Sequence, residues 1–144
     1  MGQRGFTLIE VIIVVAIMGI LASATYPLIG NTSARDVDNV TRELAADLEW
    51  MQQLSKNSLS TELPAIEFTT EAPFSYDIKV GTTTLKPRVA FPSTVIITQN
   101  PGNFNFKTNG TCSSSKTIIL QGGNVSRKIM IEENGRIHIS DASS

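Results

Sequence analysis

The chain has 144 residues, a formal net charge of −1, one histidine and one cysteine. That length allows one small domain beyond an N-terminal segment, and the single Cys112 excludes an intrachain disulfide. No metal-ligand cluster, phosphate loop or paired-carboxylate motif is present, and one Cys with one His offers little for nucleophilic chemistry. No catalytic residue, metal or cofactor is therefore expected.

The segment from Arg4 to Tyr26 reads RGFTLIEVIIVVAIMGILASATY. It is apolar from Phe6 to Ala24 apart from one charge, Glu10. A helix over these positions would be about 28 Å long, near the thickness of a bilayer's hydrocarbon core. A carboxylate inside a membrane helix costs on the order of 2.5–3.5 kcal/mol, so Glu10 implies a partner. A free amino terminus on a neighbouring copy would be a natural counter-charge. Two plainer readings fit the same run. One is a secretory signal peptide, with Arg4 as its basic start and Ala22-Ser23-Ala24 as its cleavage site. The other is a simple single-span anchor. A carboxylate at the head of the apolar run argues against the first.

Gly5-Phe6-Thr7-Leu8-Ile9-Glu10-Val11 resembles the class III signal of type IV prepilins and type II secretion pseudopilins. The resemblance covers about the first 30 residues. It implies cleavage between Gly5 and Phe6 by prepilin peptidase, a membrane aspartyl peptidase, and N-methylation of Phe6. It also implies a role for Glu10 in assembly with other pilins or pseudopilins, through an inner-membrane assembly platform. The implied location is the bacterial inner membrane, single-pass with the head on the periplasmic side, and then the pilus or pseudopilus. Pro27 falls where pilins often carry a helix-bending proline, and a proline there kinks or breaks a helix in any case.

Ser33 is a candidate N-cap, and from Ala34 to about Leu59 the pattern is helical. Val37, Val40, Leu44, Leu48, Met51 and Leu54 recur at three- and four-residue spacings and form one apolar stripe. The other faces are charged, so this helix half packs one side against the remainder, with Trp50 and Met51 as candidate contacts. Beyond Pro64 the period becomes two. Strands are expected over 65–69, 74–80, 88–92, 94–98, 104–106, 117–121, 128–132 and 136–139. Turns are expected at 81–84, at Asn100-Pro101-Gly102-Asn103 and at Asn134-Gly135, with a polar loop over 108–115 holding Cys112. The fold class is thus α+β: a long N-terminal helix, membrane-spanning in its first half and amphipathic in its second, packed on an antiparallel β-rich head. The corresponding divisions are a leader over 1–5, a transmembrane and filament-core helix over 6–30, an amphipathic helix half over 31–63 and the head over 64–144.

Charge is unevenly placed. Phe6 to Asp77 holds three basic and ten acidic side chains, whereas Ile78 to Ser144 holds eight basic and three acidic. Such segregation serves head-to-tail packing, offers a basic surface to an anion, or is a solvated surface of no consequence.

In strand order and spacing the head resembles the GspH/FimT group of minor pilins and pseudopilins. Some members of that group bind DNA in natural transformation through a Gly-Arg-x-Arg element. The matching positions here read Gly135-Arg136-Ile137-His138, with His138 in place of the last arginine. Arg127 and Lys128 lie across the expected hairpin, and Lys107 and Lys116 are near in sequence pattern. Clustered cations suffice for salt-dependent phosphate contact, while Glu132 and Glu133 beside the turn oppose it. The leading reading is a structural filament subunit. The rival is a DNA-binding minor pilin acting in DNA uptake, with Arg127, Lys128, Arg136 and His138 as its contacts.

Overall fold

A computed structural model describes residues 7–25, 32–59 and 61–142. Gly5, Phe6 and Pro27 lie outside the described residues. The chain forms two compact units, one up to Thr32 and one from Ser33 onward.

The first unit contains α1, Leu8–Thr25. Its large apolar side chains point outward on every side, with Leu8, Ile12, Val15, Met18 and Leu21 all more than half exposed. Among the described residues no helix is long and apolar enough to cross a membrane. At 18 residues, α1 is about 27 Å long, against about 30 Å for a bilayer core.

The second unit is α2 (Thr32–Asn57) with eight strands. The strands are β1 (Pro64–Phe68), β2 (Ser75–Val80), β3 (Thr83–Ala90), β4 (Ile96–Gln99), β5 (Phe104–Asn105), β6 (Lys116–Gly122), β7 (Val125–Ile131) and β8 (Ile137–Asp141). They make two four-stranded sheets, β3-β2-β1-β5 and β4-β6-β7-β8, antiparallel throughout. The α+β class and the antiparallel sheet follow the expectation, and the amphipathic helix half belongs to the same compact unit as the strands.

The core is built from the α2 stripe and the inner faces of both sheets. Val37, Leu44, Leu48 and Met51 are fully buried, together with Ile66 and Ile78 from one sheet and Ile118, Leu120, Ile129 and Ile131 from the other. Burying each such side chain stabilises the fold by about 1.5–3 kcal/mol. Thr41 and Ser55 share the buried face, where each hydroxyl donates to the carbonyl four residues back, at 2.6 and 3.0 Å. Trp50 differs from expectation: it stands on the solvent side at 41 % exposure, and Met51 alone makes the inward contact.

At its N-terminal end α2 lies close on β6. A Cβ on Gly122 would meet the Ser33 carbonyl at 2.9 Å and the Thr94 carbonyl at 3.0 Å, so only glycine allows this approach. α2 begins at Thr32, which puts Ser33 inside the helix rather than at its cap.

One other expectation is corrected. Thr83 and Thr84, read as turn, begin β3, and the strand runs on through Pro87. A proline is tolerated there because β3 is an edge strand whose outer N–H groups need no partner. Cys112 sits in a loop as expected, yet it is buried. It bridges Phe106, and its N–H donates to the Glu133 carbonyl at 2.9 Å.

Candidate functional site

Thr7-Leu8-Ile9-Glu10 opens α1 with a reciprocal cap. Glu10 Oε2 accepts from the Thr7 N–H and from the Thr7 hydroxyl, each at 3.1 Å. The Glu10 N–H donates to the Thr7 carbonyl at 3.1 Å, and its distance to Thr7 Oγ1 is 3.4 Å. This is the capping-box pairing of a Thr N-cap with a Glu three residues on. Glu10 therefore has a local partner within its own chain, besides any role for its charge. The T-x-x-E spacing carried that signal, and a reading that asked only for a counter-ion passed over it.

The β7–β8 turn and the C-terminal half of α2 enclose a groove of about 620 Å3, lined by Glu49, Gln52, Gln53, Lys56 and Asn134 to His138. Gln52 Nε2 donates to Gly110 O and to Gly135 O, both at 2.7 Å. Gly135 has φ +86°, and a Cβ there would collide with the Gly110 carbonyl oxygen and the Gln52 amide. Asn134 closes the turn by accepting from the Arg136 N–H at 2.8 Å. The Gly-Arg pair of the turn thus has a structural reason for its glycine that is independent of any ligand.

The four cations proposed from sequence are not gathered into one patch. Arg136 and His138 line the groove, and Lys56 joins them. Arg136 is exposed and has no ionic partner among the described residues. His138 Nε2 lies 3.1 Å from Glu132 Oε1. Lys128 sits opposite Ser140 on the sheet face away from the core, where His138 also points. Arg127 is on the opposite face. Its Nε donates to Asp38 Oδ1 at 2.7 Å, and its Nη1 also pairs with Asp141. The Asp38 bond holds the Arg127 pKa above its usual value. Lys107 and Lys116 line none of these surfaces.

The charge asymmetry is partly consumed inside the second unit. Lys86 Nζ on β3 reaches Asp47 Oδ2 of α2 at 2.5 Å and Glu43 Oε1 at 3.4 Å. The Tyr76 hydroxyl donates to the same Asp47 oxygen from β2. Burial raises the Tyr76 pKa, and Asp47 raises it further. Burial is the largest single influence on Lys86 and opposes its charge, but the hydrogen bonds and charges of Asp47 and Glu43 together outweigh it and its pKa is raised. Lys86 and Arg127 thus pair acid on α2 with base on the strands, which accounts for part of the asymmetry.

Comparison with known proteins points to the N-terminal segment. The prokaryotic N-terminal methylation motif matches residues 1–26. A type II secretion system core protein G of Klebsiella michiganensis is 49 % identical over 45 residues, which is 31 % of this chain and 32 % of that protein. The corresponding protein of Klebsiella pneumoniae is 47 % identical over 45 residues, with the same coverage. The chain thus spans about a third of the length of the curated relatives it matches. No solved structure matches it significantly. The similarity is confined to the N-terminal segment, which matches the prokaryotic N-terminal methylation motif and resembles the corresponding part of type II secretion system core protein G.

Proposed function

We propose that the chain is a minor pilin or pseudopilin of the GspH/FimT kind, a structural subunit of a type IV pilus or type II secretion pseudopilus. The observation that carries this reading is the methylation motif over residues 1–26, continued by a helix whose apolar side chains are exposed on every side. A helix apolar all round needs an apolar surrounding. α1 and its flanking residues find it first in the inner membrane and then in a filament core. Prepilin peptidase cleaves between Gly5 and Phe6, Phe6 is N-methylated, and the head stays on the periplasmic side. Glu10 docks against the Phe6 amine of a neighbour. The assembly platform and the other filament subunits are its partners, and the second unit supplies surface rather than chemistry.

The test separates charge from capping at Glu10. Glutamine also serves at the third position of a capping box, so Glu10→Gln keeps the cap and removes the charge, whereas Glu10→Val removes both. Docking through charge requires both variants to insert in the membrane and both to be lost from sheared filaments. If Glu10→Gln is incorporated normally, the carboxylate acts only as a cap. A Gly5 substitution that leaves the mature mass unchanged would remove the proposed cleavage site.

DNA uptake is the second reading, supported by Arg136 and Lys56 in one groove, neither with an ionic partner among the described residues. A gel shift at low and high salt decides it. Binding lost in Arg136→Ala favours DNA, and no shift at low salt removes the reading.

A further inference from the structure

Asn-Gly occurs twice in the chain, at Asn109-Gly110 and at Asn134-Gly135. The two copies fold alike. In the first, Lys107 N–H donates to Thr111 O and Gly110 N–H donates to Lys107 O, both at 2.8 Å. In the second, Glu132 N–H donates to Arg136 O and Gly135 N–H donates to Glu132 O, both at 2.9 Å. In each, the asparagine Oδ1 accepts the N–H two residues on, from Thr111 at 3.1 Å and from Arg136 at 2.8 Å. Gly110 and Gly135 have φ of +79° and +86°.

The two turns are also joined to each other. Gln52 Nε2 donates to both glycine carbonyls at 2.7 Å, and Cys112 N–H donates to Glu133 O at 2.9 Å. Both glycines are buried, whereas both asparagines are exposed to water.

Asparagine is among the chemically labile residues. Before glycine it is most at risk, because no Cβ shields the glycine nitrogen. That nitrogen gives up its proton and attacks Asn Cγ. The new N–Cγ bond closes a cyclic imide as the Cγ–NH2 bond breaks, and the amino group takes up a proton and leaves as ammonia. Water then opens the ring at one of its two carbonyls. One opening gives aspartate, and the other gives isoaspartate, in which the main chain runs through the former side chain. Nothing is oxidised or reduced. In the folded chain the bonds at both turns oppose the first step. The glycine N–H that must be released is bonded to a carbonyl three residues back, and the carboxamide that must turn toward it is held by the N–H beyond.

We propose that Asn109 and Asn134 are a linked pair of latent modification sites, closed by the Gln52 clasp and converted together to aspartate or isoaspartate when it opens. A local opening exposes only the groups it frees. One side chain bonds both turns, so one opening frees both. Conversion at one turn favours the other: isoaspartate at 134 lengthens the backbone beside Gly135, draws its carbonyl away from Gln52 and so loosens Gly110. Each conversion adds one negative charge, so the net charge of −1 becomes −2 and then −3. At 134 the new charge stands beside Arg136 in the wall of the 620 Å3 groove and weakens its attraction for anions. None of this depends on assembly into a filament.

The full chain is purified in detergent, incubated at mildly alkaline pH and digested. Mass spectrometry of the peptides holding Asn109 and Asn134 follows the exchange of NH2 for OH, and isoelectric focusing follows the charge. In the wild type both sites convert far more slowly folded than in denaturing urea. In Gln52→Ala both accelerate together, by about 5- to 150-fold, the factor by which a buried carbonyl left without its donor favours opening. Ile118→Val, a core substitution on β6, lowers global stability without touching the clasp and leaves both rates slow. Rates that track melting temperature alone across the two variants show conversion through global unfolding and overturn the proposal. Acceleration at one site only overturns the link between the turns. Equal rates in the folded and unfolded wild type overturn the protection. If Gln52→Ala does not fold, the wild type in urea below its unfolding transition decides. Both sites must accelerate together there, and acceleration confined to the transition itself overturns the clasp.

Discussion

Gln52 and Gly135 lie 83 positions apart in sequence, yet the Gln52 amide donates to the Gly135 carbonyl at 2.7 Å. Its second hydrogen goes to Gly110 O at the same distance, so the amide's donor capacity is used up. One side chain of α2 thereby ties two loops to the helix. Gln52→Ala leaves two carbonyls without their donor, at a cost of about 1–3 kcal/mol. Gln52→Glu is nearly isosteric but sets a carboxylate against both carbonyl oxygens, so it destabilises at least as much. Gly135→Ala costs about 1–3 kcal/mol for its backbone conformation alone, with the collision added. Urea denaturation of the three variants checks the order. A neutral Gln52→Glu would show that the junction is not held by this amide.

Arg127 offers a test of whether a cation serves the fold or a ligand. Its partners Asp38 and Asp141 lie on α2 and β8. Arg127→Ala lowers stability, and the difference from wild type shrinks as salt rises toward about 1 M, where the Debye length falls to about 3 Å. Arg127→Ala should leave low-salt DNA retention, if any is found, largely in place. A variant of unchanged melting temperature that fails in a gel shift would reverse this assignment.

The Tyr76–Asp47–Lys86 contact gives stability a pH limit on the alkaline side. Tyr76 has its folded pKa raised above 10.0 and Lys86 has its own raised above 10.5. For each, the folded state holds its proton more tightly than the unfolded chain. The contribution is therefore complete below the unfolded value and is lost as pH rises toward the folded one. Stability should fall as pH passes about 10, and Tyr76→Phe should show a shallower decline. Thermal unfolding at a series of pH values from neutral to 11 reads the effect. Equal slopes for both proteins would remove Tyr76 as the cause.

Much of the fold could be read before any coordinates, because its elements follow local periods. The stripe of Val37, Val40, Leu44, Leu48 and Met51 is a 3.6-residue repeat, and the same residues are buried, whereas Leu54, read into the same stripe, is only half-buried. Asn134-Gly135 marked its turn through the φ that only glycine takes easily. Failures came where the reason is not local. Thr83 and Thr84 have no apolar alternation, and their strand exists because β2 pairs with it. The burial of Cys112 within the expected polar loop had no local signal either, because it comes from pairing with Phe106. The cations of the hairpin were separated by strand parity: Arg127 and Lys128 are neighbours in sequence and point to opposite faces. Gln52 carried no signal at all, because its partners are 58 and 83 positions away.

The polar loop between β5 and β6 is two loops in mechanical terms. From Lys107 to Cys112 it is clamped. Lys107 N–H donates to Thr111 O at 2.8 Å, Gly110 N–H donates to Lys107 O at 2.8 Å, and Cys112 N–H reaches Glu133 O at 2.9 Å. Ser113, Ser114 and Ser115 are exposed and take part in none of these bonds. A change of length before Cys112 would be felt at the far hairpin through Gln52. The same change among the three serines would be felt nowhere else, which makes them the one stretch of this loop where sequence can drift, or a tag be carried, without the fold taking notice.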